Sequence, residues 1–124
     1  MVNLFKVFMA EDVENYVLPV LHSGYIGEGK YSCIFEKCFG SYIDNPNTVV
    51  VNSGTSAITM ALLLAGVSSG SRIISTPMTC LATNMAILAV GGSTIWSDVL
   101  PDGTINPEKV ADILADNEVD VGIS

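Results

Sequence analysis

The residues best placed to do chemistry follow a short apolar run. Val49-Val50-Val51-Asn52 leads into Ser53-Gly54-Thr55-Ser56, where a long apolar helix is expected to open. A strand that turns through small hydroxylated residues into a helix aims unpaired backbone N–H groups and the positive end of the helix dipole at one spot. That arrangement suits a phosphate or another anion. Two or three hydroxyls beside those amides would complete a cradle for a dianion. No P-loop lysine follows, which argues against nucleoside triphosphate hydrolysis. The simpler alternative is that Ser53 or Thr55 caps the helix and Gly54 turns the chain, with nothing bound.

A second candidate is Thr76-Pro77-Met78-Thr79-Cys80-Leu81-Ala82-Thr83-Asn84, at the carboxyl end of the next expected strand. Open parallel sheets bind their ligands there. Hydroxyls at Thr79 and Thr83 could line a pocket, although capping the following helix is their simpler use. Cys80 has the chemistry of a nucleophile, but His22 is the sole histidine and nothing in the sequence brings the two together. His22 is expected partly exposed at a helix end, Trp96 packed in a strand, and Asp98 in a turn that could face the same sheet edge. Asp112, Asp116, Glu118 and Asp120 read as a solvated helix face and the loop after it.

The elements that must position these residues alternate. Residues 11–21 predict a helix whose last turn Pro19 disturbs. Gly24, Gly27 and Gly29 exclude regular helix from the next segment, so a loop is expected there. Residues 30–42 carry Tyr31, Ile34, Phe35, Cys38, Phe39 and Tyr42 at helical spacing, the pattern of one buried stripe. After Asn45-Pro46-Asn47, strands are expected at 48–52, 72–76, 94–99 and 119–123, with helices at 55–65, 81–90 and about 106–115. Strands separated by helices describe βαβ crossovers and a mainly parallel sheet, an α/β fold. The 55–65 helix is apolar on nearly every face and is expected to be covered on several sides. The organisation predicted is an N-terminal helical segment with a Gly-rich loop over 1–47 and the first, incomplete part of an α/β domain over 48–124.

Composition excludes some functions. Of 124 residues 49% are hydrophobic, and the mean hydropathy of +0.49 fits strands buried on both faces. A net charge of −8, from thirteen acidic against five basic residues, argues against a nucleic-acid partner held through its phosphates. The odd cysteine count, Cys33, Cys38 and Cys80, fits a reducing compartment and buried thiols, and no spacing supports a metal site. The N-terminus lacks the order of a signal peptide, and the longest apolar-plus-small run, near 57–67, is too short to span a bilayer. A cytoplasmic protein without a membrane partner is therefore expected.

Three motifs in register resemble a known family. Ser23-Gly24-Tyr25-Ile26-Gly27-Glu28-Gly29 followed by Phe35-Glu36, then Asn52-Ser53-Gly54-Thr55-Ser56-Ala57, then Pro77-Met78-Thr79-Cys80-Leu81-Ala82-Thr83-Asn84 with Trp96-Ser97-Asp98 behind it, look like the DegT/DnrJ/EryC1/StrS sugar aminotransferases. The resemblance runs from about residue 17 to residue 124. It implies the N-terminal part of the fold-type-I large domain of pyridoxal phosphate (PLP) enzymes, which move an amino group from an amino acid, commonly glutamate, to a nucleotide-linked keto sugar. It further implies that Gly54, Thr55 and Ser56 hold the PLP phosphate and that Cys80 lies over the pyridine ring, where many members carry an aromatic residue. Gly24, Tyr25 and Ile26 would run near the sugar-nucleotide site, often at a homodimer interface.

Members of that family are much longer, and their cofactor-bearing lysine and the acid on the ring nitrogen come from later segments. The lysines here are Lys6, Lys30, Lys37 and Lys109, and none stands in the family's lysine motif. The expectation is an enzyme portion that does not transaminate alone and contributes no catalytic residue of its own. Two alternatives stay open: a non-catalytic phosphate-binding or assembly module, and a dehydratase-like relative in which another base replaces the lysine.

In the implied fold the 48–52 strand pairs with a strand supplied much later. Lacking that partner, the isolated chain is predicted to be poorly soluble or to need another polypeptide. Sedimentation and thermal melting test this: self-association is expected, and a sharp, monomeric, cooperative melt at low concentration would contradict it.

Overall fold

A computed structural model describes residues 6–116 and 119–122. The chain forms two compact units, Met1–Val50 and Val51–Ser124.

In the first unit, helix α1 spans Val13–His22 and helix α2 spans Lys30–Tyr42. α1 runs through Pro19, whose ring nitrogen cannot donate to the preceding turn, and it continues because the Pro19 carbonyl accepts from the Ser23 amide at 3.1 Å. His22 ends it, exposed. α2 matches its expected span, but its apolar stripe is not buried: Tyr31 is 47% exposed, Phe35 52% and Tyr42 86%. Helical spacing specifies which face is apolar. Burial needs a covering surface, and among the described residues of α2 only Gly40 is buried. Phe35 and Phe39 instead stack on each other, centroids 5.6 Å apart. Cys33, Cys38 and Cys80 are all exposed, correcting the expectation of buried thiols.

Residues 48–52 form no strand. A strand exists only through a ladder, and among the described residues no neighbour supplies one. A side chain substitutes for it in part, because Glu36 Oε1 on α2 accepts the Val50 amide at 2.9 Å. Behind it, α2 meets the turn that follows it, with the Asn45 amide donating to the Gly40 carbonyl at 2.8 Å.

The second unit is a three-stranded parallel sheet, order β2-β1-β3, with β1 at Arg72–Ser75, β2 at Ser93–Trp96 and β3 at Val121–Gly122. Helix α3, Gly54–Leu64, leads into β1; helix α4, Leu81–Ala89, joins β1 to β2; helix α5, Pro107–Asp116, joins β2 to β3. Ile73 of β1 aligns with Thr94 on one side and Val121 on the other, so the middle strand has a ladder along both edges. α3 packs on α4, and Leu62, Val67, Ile73, Ala86 and Ile87 form the core, flanked by Ile58 and Val90. Burying each large aliphatic side chain of this set contributes about 1.5–3 kcal/mol.

The expected spans shift by a few residues, and Ile123 lies outside the described residues. Two further burial expectations fail. Trp96 is 54% exposed, at the end of the outer strand β2. α3 buries Leu62 but leaves Leu63 57% and Leu64 83% exposed, because the core lies on one side of it. Asp120 does more than solvate a loop, since its Oδ2 accepts the Arg72 amide at 2.8 Å; Glu118 lies outside the described residues. Among the described residues no helix is long and apolar enough to cross a membrane.

Gly40 tests the contact between α2 and its following turn. A Cβ there would come 2.8 Å from the Asn45 backbone oxygen, which cannot swing aside as a side chain would. Alanine is worth about 1 kcal/mol over glycine in a helix, but overpacking costs about 1–3 kcal/mol. Gly40→Ala should lower the urea midpoint; a raised midpoint would contradict the close approach.

Candidate functional site

The corner before α3 is built by local hydrogen bonds. Ser53 is extended at φ −161°, ψ 158°, and its Oγ accepts the Ser56 amide at 3.1 Å, capping the helix. Ser56 Oγ donates to Asn52 Oδ1 at 2.7 Å and lies 3.0 Å from Ser53 Oγ. With the Ser56 proton directed at Asn52, the Ser53 hydroxyl is the donor in the serine pair. The cap expected of Ser53 is therefore present, and Asn52, which spacing did not single out, is the acceptor at the end of this chain of hydrogen bonds.

Capping does not exhaust the corner. Among the described residues the amides of Gly54 and Thr55 and the Thr55 hydroxyl have no partner, and they sit at the positive end of an eleven-residue helix. Ser53 and Gly54 are exposed and Thr55 and Ser56 half-buried, so the corner is open to an incoming group. A Cβ on Gly54 would meet no atom within 4 Å. Nothing inside the described chain demands glycine there, whereas a group lying against the backbone would. These residues fit a phosphate.

Topology brings the second motif to the same end of the sheet. α3 feeds the start of β1, so its N-terminus lies toward the carboxyl end of β1, where α4 also begins. There Asn84 joins the strand to the helix. Its Oδ1 accepts the Ser75 hydroxyl at 2.8 Å and its Nδ2 donates to the Thr76 carbonyl at 3.2 Å. Thr76 Oγ1 in turn accepts the Met78 amide at 3.1 Å. Ser75 is 1% exposed and Thr76 7%. The sequence signal for this cluster is an asparagine beside Thr83 on a mostly apolar helix that follows a serine-ended apolar strand, and spacing alone does not join Asn84 to Ser75 and Thr76.

Cys80 is the N-cap residue of α4 and makes no capping bond, and Thr79 Oγ1 donates to Thr83 Oγ1 at 3.4 Å rather than capping. Asp98 behaves as a turn former, its Oδ1 accepting the Val99 amide at 2.8 Å. Among the described residues no three His, Cys, Asp or Glu gather where they could hold a metal.

In the first unit, Gly24 has φ +73°, a left-handed conformation that suits glycine. Ser23 Oγ accepts the Tyr25 amide at 3.1 Å, tightening the turn. The Tyr25 ring lies over Gly29, where a Cβ would come 3.3 Å from its Cε1, and Ile26 is 76% exposed. Tyr25, with Pro19, Val20, Lys30 and Tyr31, lines an open cleft of about 250 Å³.

A helix that starts in hydroxylated residues beside a parallel sheet is the architecture of an α/β protein. Comparison with known proteins narrows this: the chain belongs to the DegT/DnrJ/EryC1/StrS aminotransferase family, which matches residues 8–118. A curated relative, the 3-oxo-glucose-6-phosphate:glutamate aminotransferase of Bacillus subtilis (strain 168), is 33% identical over 105 residues, 84% of this chain and 24% of its own length. The sugar aminotransferase CalS13 from Micromonospora echinospora superposes with a TM-score of 0.81 at 35% identity, covering 98% of this chain and 32% of its own. The structure of ntda from Bacillus subtilis with bound cofactor pmp has a TM-score of 0.71 at 35% identity, covering 82% of this chain and 24% of that one. The chain thus spans about a quarter to a third of the length of these relatives. Its architecture is that of the N-terminal part of the fold-type-I large domain.

Two substitutions separate capping from binding. Ser53→Ala should lower stability by about 1 kcal/mol in urea unfolding by removing the cap. Gly54→Ala should leave stability unchanged or slightly higher, since its Cβ points into open space. Equal damage from both would contradict the open corner.

Proposed function

We propose that this chain is the N-terminal portion of an aminotransferase that moves an amino group from an amino acid, glutamate in this reading, to a nucleotide-linked keto sugar using pyridoxal 5'-phosphate. Residues 48–124 form the first part of its cofactor-binding domain, and residues 1–47 the N-terminal helical segment. The observation that carries the reading is the open donor set at Gly54 and Thr55, without a partner among the described residues, in a chain of this family. When bound, the cofactor supplies the electron sink for amino-group exchange.

The roles of the chain's own residues are binding and orientation. The Gly54 and Thr55 amides and the Thr55 hydroxyl would donate to the phosphate, and Ser56, its hydroxyl braced by Asn52, would complete the corner. Cys80 would contact the cofactor ring. Gly24, Tyr25 and Ile26 belong to the sugar-nucleotide site. The protein acts in the cytoplasm, as a homodimer or with a further C-terminal portion, without a nucleic-acid or membrane partner. The Bacillus relative is a 3-oxo-glucose-6-phosphate:glutamate aminotransferase, which supports glutamate as donor and makes a phosphorylated keto sugar the second substrate class to assay.

None of Lys6, Lys30, Lys37 and Lys109 stands where the family's cofactor lysine would, so this chain alone does not transaminate. An absorbance scan during titration with pyridoxal phosphate, paired with melting curves in pyridoxamine phosphate, tests both halves. Expected are no saturable visible band and a rise in melting temperature, corresponding to about 1.4 kcal/mol at ten times the dissociation constant. A saturable band traced to one of the four lysines would overturn the inactivity, and the absence of any stabilisation would overturn the phosphate site.

A further inference from the structure

We propose that Asn84 is a positioning residue for the cofactor site, clamping the β1–α4 loop so that the side chain at position 80 is held in place. The inference rests on the reading that position 80 faces the cofactor ring. Two observations carry it.

The first is that both functions of the Asn84 amide are committed to the end of the strand. Ser75 is the last residue of β1, paired with Trp96, and its carbonyl accepts the Ser97 amide at 2.8 Å. Beyond it the ladder stops, and Asn84 takes over from the first turns of α4, accepting the buried Ser75 hydroxyl and donating to the Thr76 carbonyl. Residues 77–80 are thereby closed into a short loop between the strand and its own following helix. A buried hydroxyl left without its acceptor is costly, so the clamp resists opening.

The second is that Cys80 breaks a local rule. It occupies an N-cap, where serine, threonine, aspartate or asparagine would satisfy a helix amide, yet its exposed side chain makes no capping bond. The usual cap is forgone at the residue the clamp encloses. A departure from local preference of this kind belongs to a position reserved for something other than stability. The loop is therefore anchored by Asn84 from behind, and the side chain at 80 stays free to meet a ligand.

The test is the alkylation rate of Cys80 by a small thiol reagent, read peptide by peptide on the whole chain by mass spectrometry, with the exposed Cys33 and Cys38 of α2 as internal references. Pyridoxamine phosphate is the probe, because it lacks the aldehyde that would react with lysines. Asn84→Asp keeps an acceptor for Ser75 but sets a second acceptor against the Thr76 carbonyl; Asn84→Ala removes both bonds, and Ser75→Ala removes one. With any of these variants that folds, Cys80 should label about threefold faster relative to Cys33 and Cys38, and half-protection should need about tenfold more pyridoxamine phosphate, the loss of roughly one net hydrogen bond. Unchanged relative labelling and unchanged protection in the folded variants would overturn the clamp. Failure of pyridoxamine phosphate to protect Cys80 in the unsubstituted chain would overturn the placement of position 80 over the ring, and the labelling rates without probe would then decide the clamp by themselves.

Discussion

The central strand β1 is the constraint on which the second unit depends. Ile73, Ile74 and Ser75 are almost fully buried, and both edges of the strand are paired in parallel. Parallel pairing forbids a tight hairpin, so each connection must return along the sheet as a helix. Helices that return the chain all begin at the carboxyl edge. The starts of α3 and α4, with their positive dipole ends, are collected there because β1 is parallel to its neighbours and buried between them.

That arrangement makes hydroxyl and amide chemistry available without any charged side chain. At the 53–56 corner one hydroxyl caps the helix, a second is braced by Asn52, and two amides with one hydroxyl have no partner among the described residues. At the end of β1 the order is reversed: Asn84 satisfies the strand, while the cap residue Cys80 gives the helix its carbonyl, accepting the Thr83 amide at 3.0 Å, but no side-chain bond. Glu36 plays a comparable part in the first unit, accepting the Val50 amide where no ladder does so among the described residues. In each case a side chain supplies what regular structure leaves open.

How much of this is legible in the sequence depends on how local the cause is. The alternation of elements, the span of α2 and the cap at Ser53 follow from periodicity and short-range hydrogen bonding, and they appear in the structure close to where the residues place them. Burial does not follow. The Tyr31 to Tyr42 stripe, the outer face of α3 and Trp96 are apolar and exposed, because periodicity identifies a face and not its cover. The 48–52 run reads as a strand by composition, yet pairing is a property of two segments and only one is described. Asn84 stands in the second candidate motif, but its partners Ser75 and Thr76 are not legible there, since the fold rather than the spacing sets them beside it. The motif resemblance is the more durable signal because it carries long-range information that single residues lack.

The claim most exposed to test is that the Gly54 and Thr55 amides point into an anion site. Amide proton–nitrogen spectra recorded while pyridoxamine phosphate is added measure this directly. Saturable shifts that centre on Gly54, Thr55 and Ser56 and extend to Cys80 are predicted. Spectra in which those amides stay fixed while others move, or in which nothing moves, would contradict it.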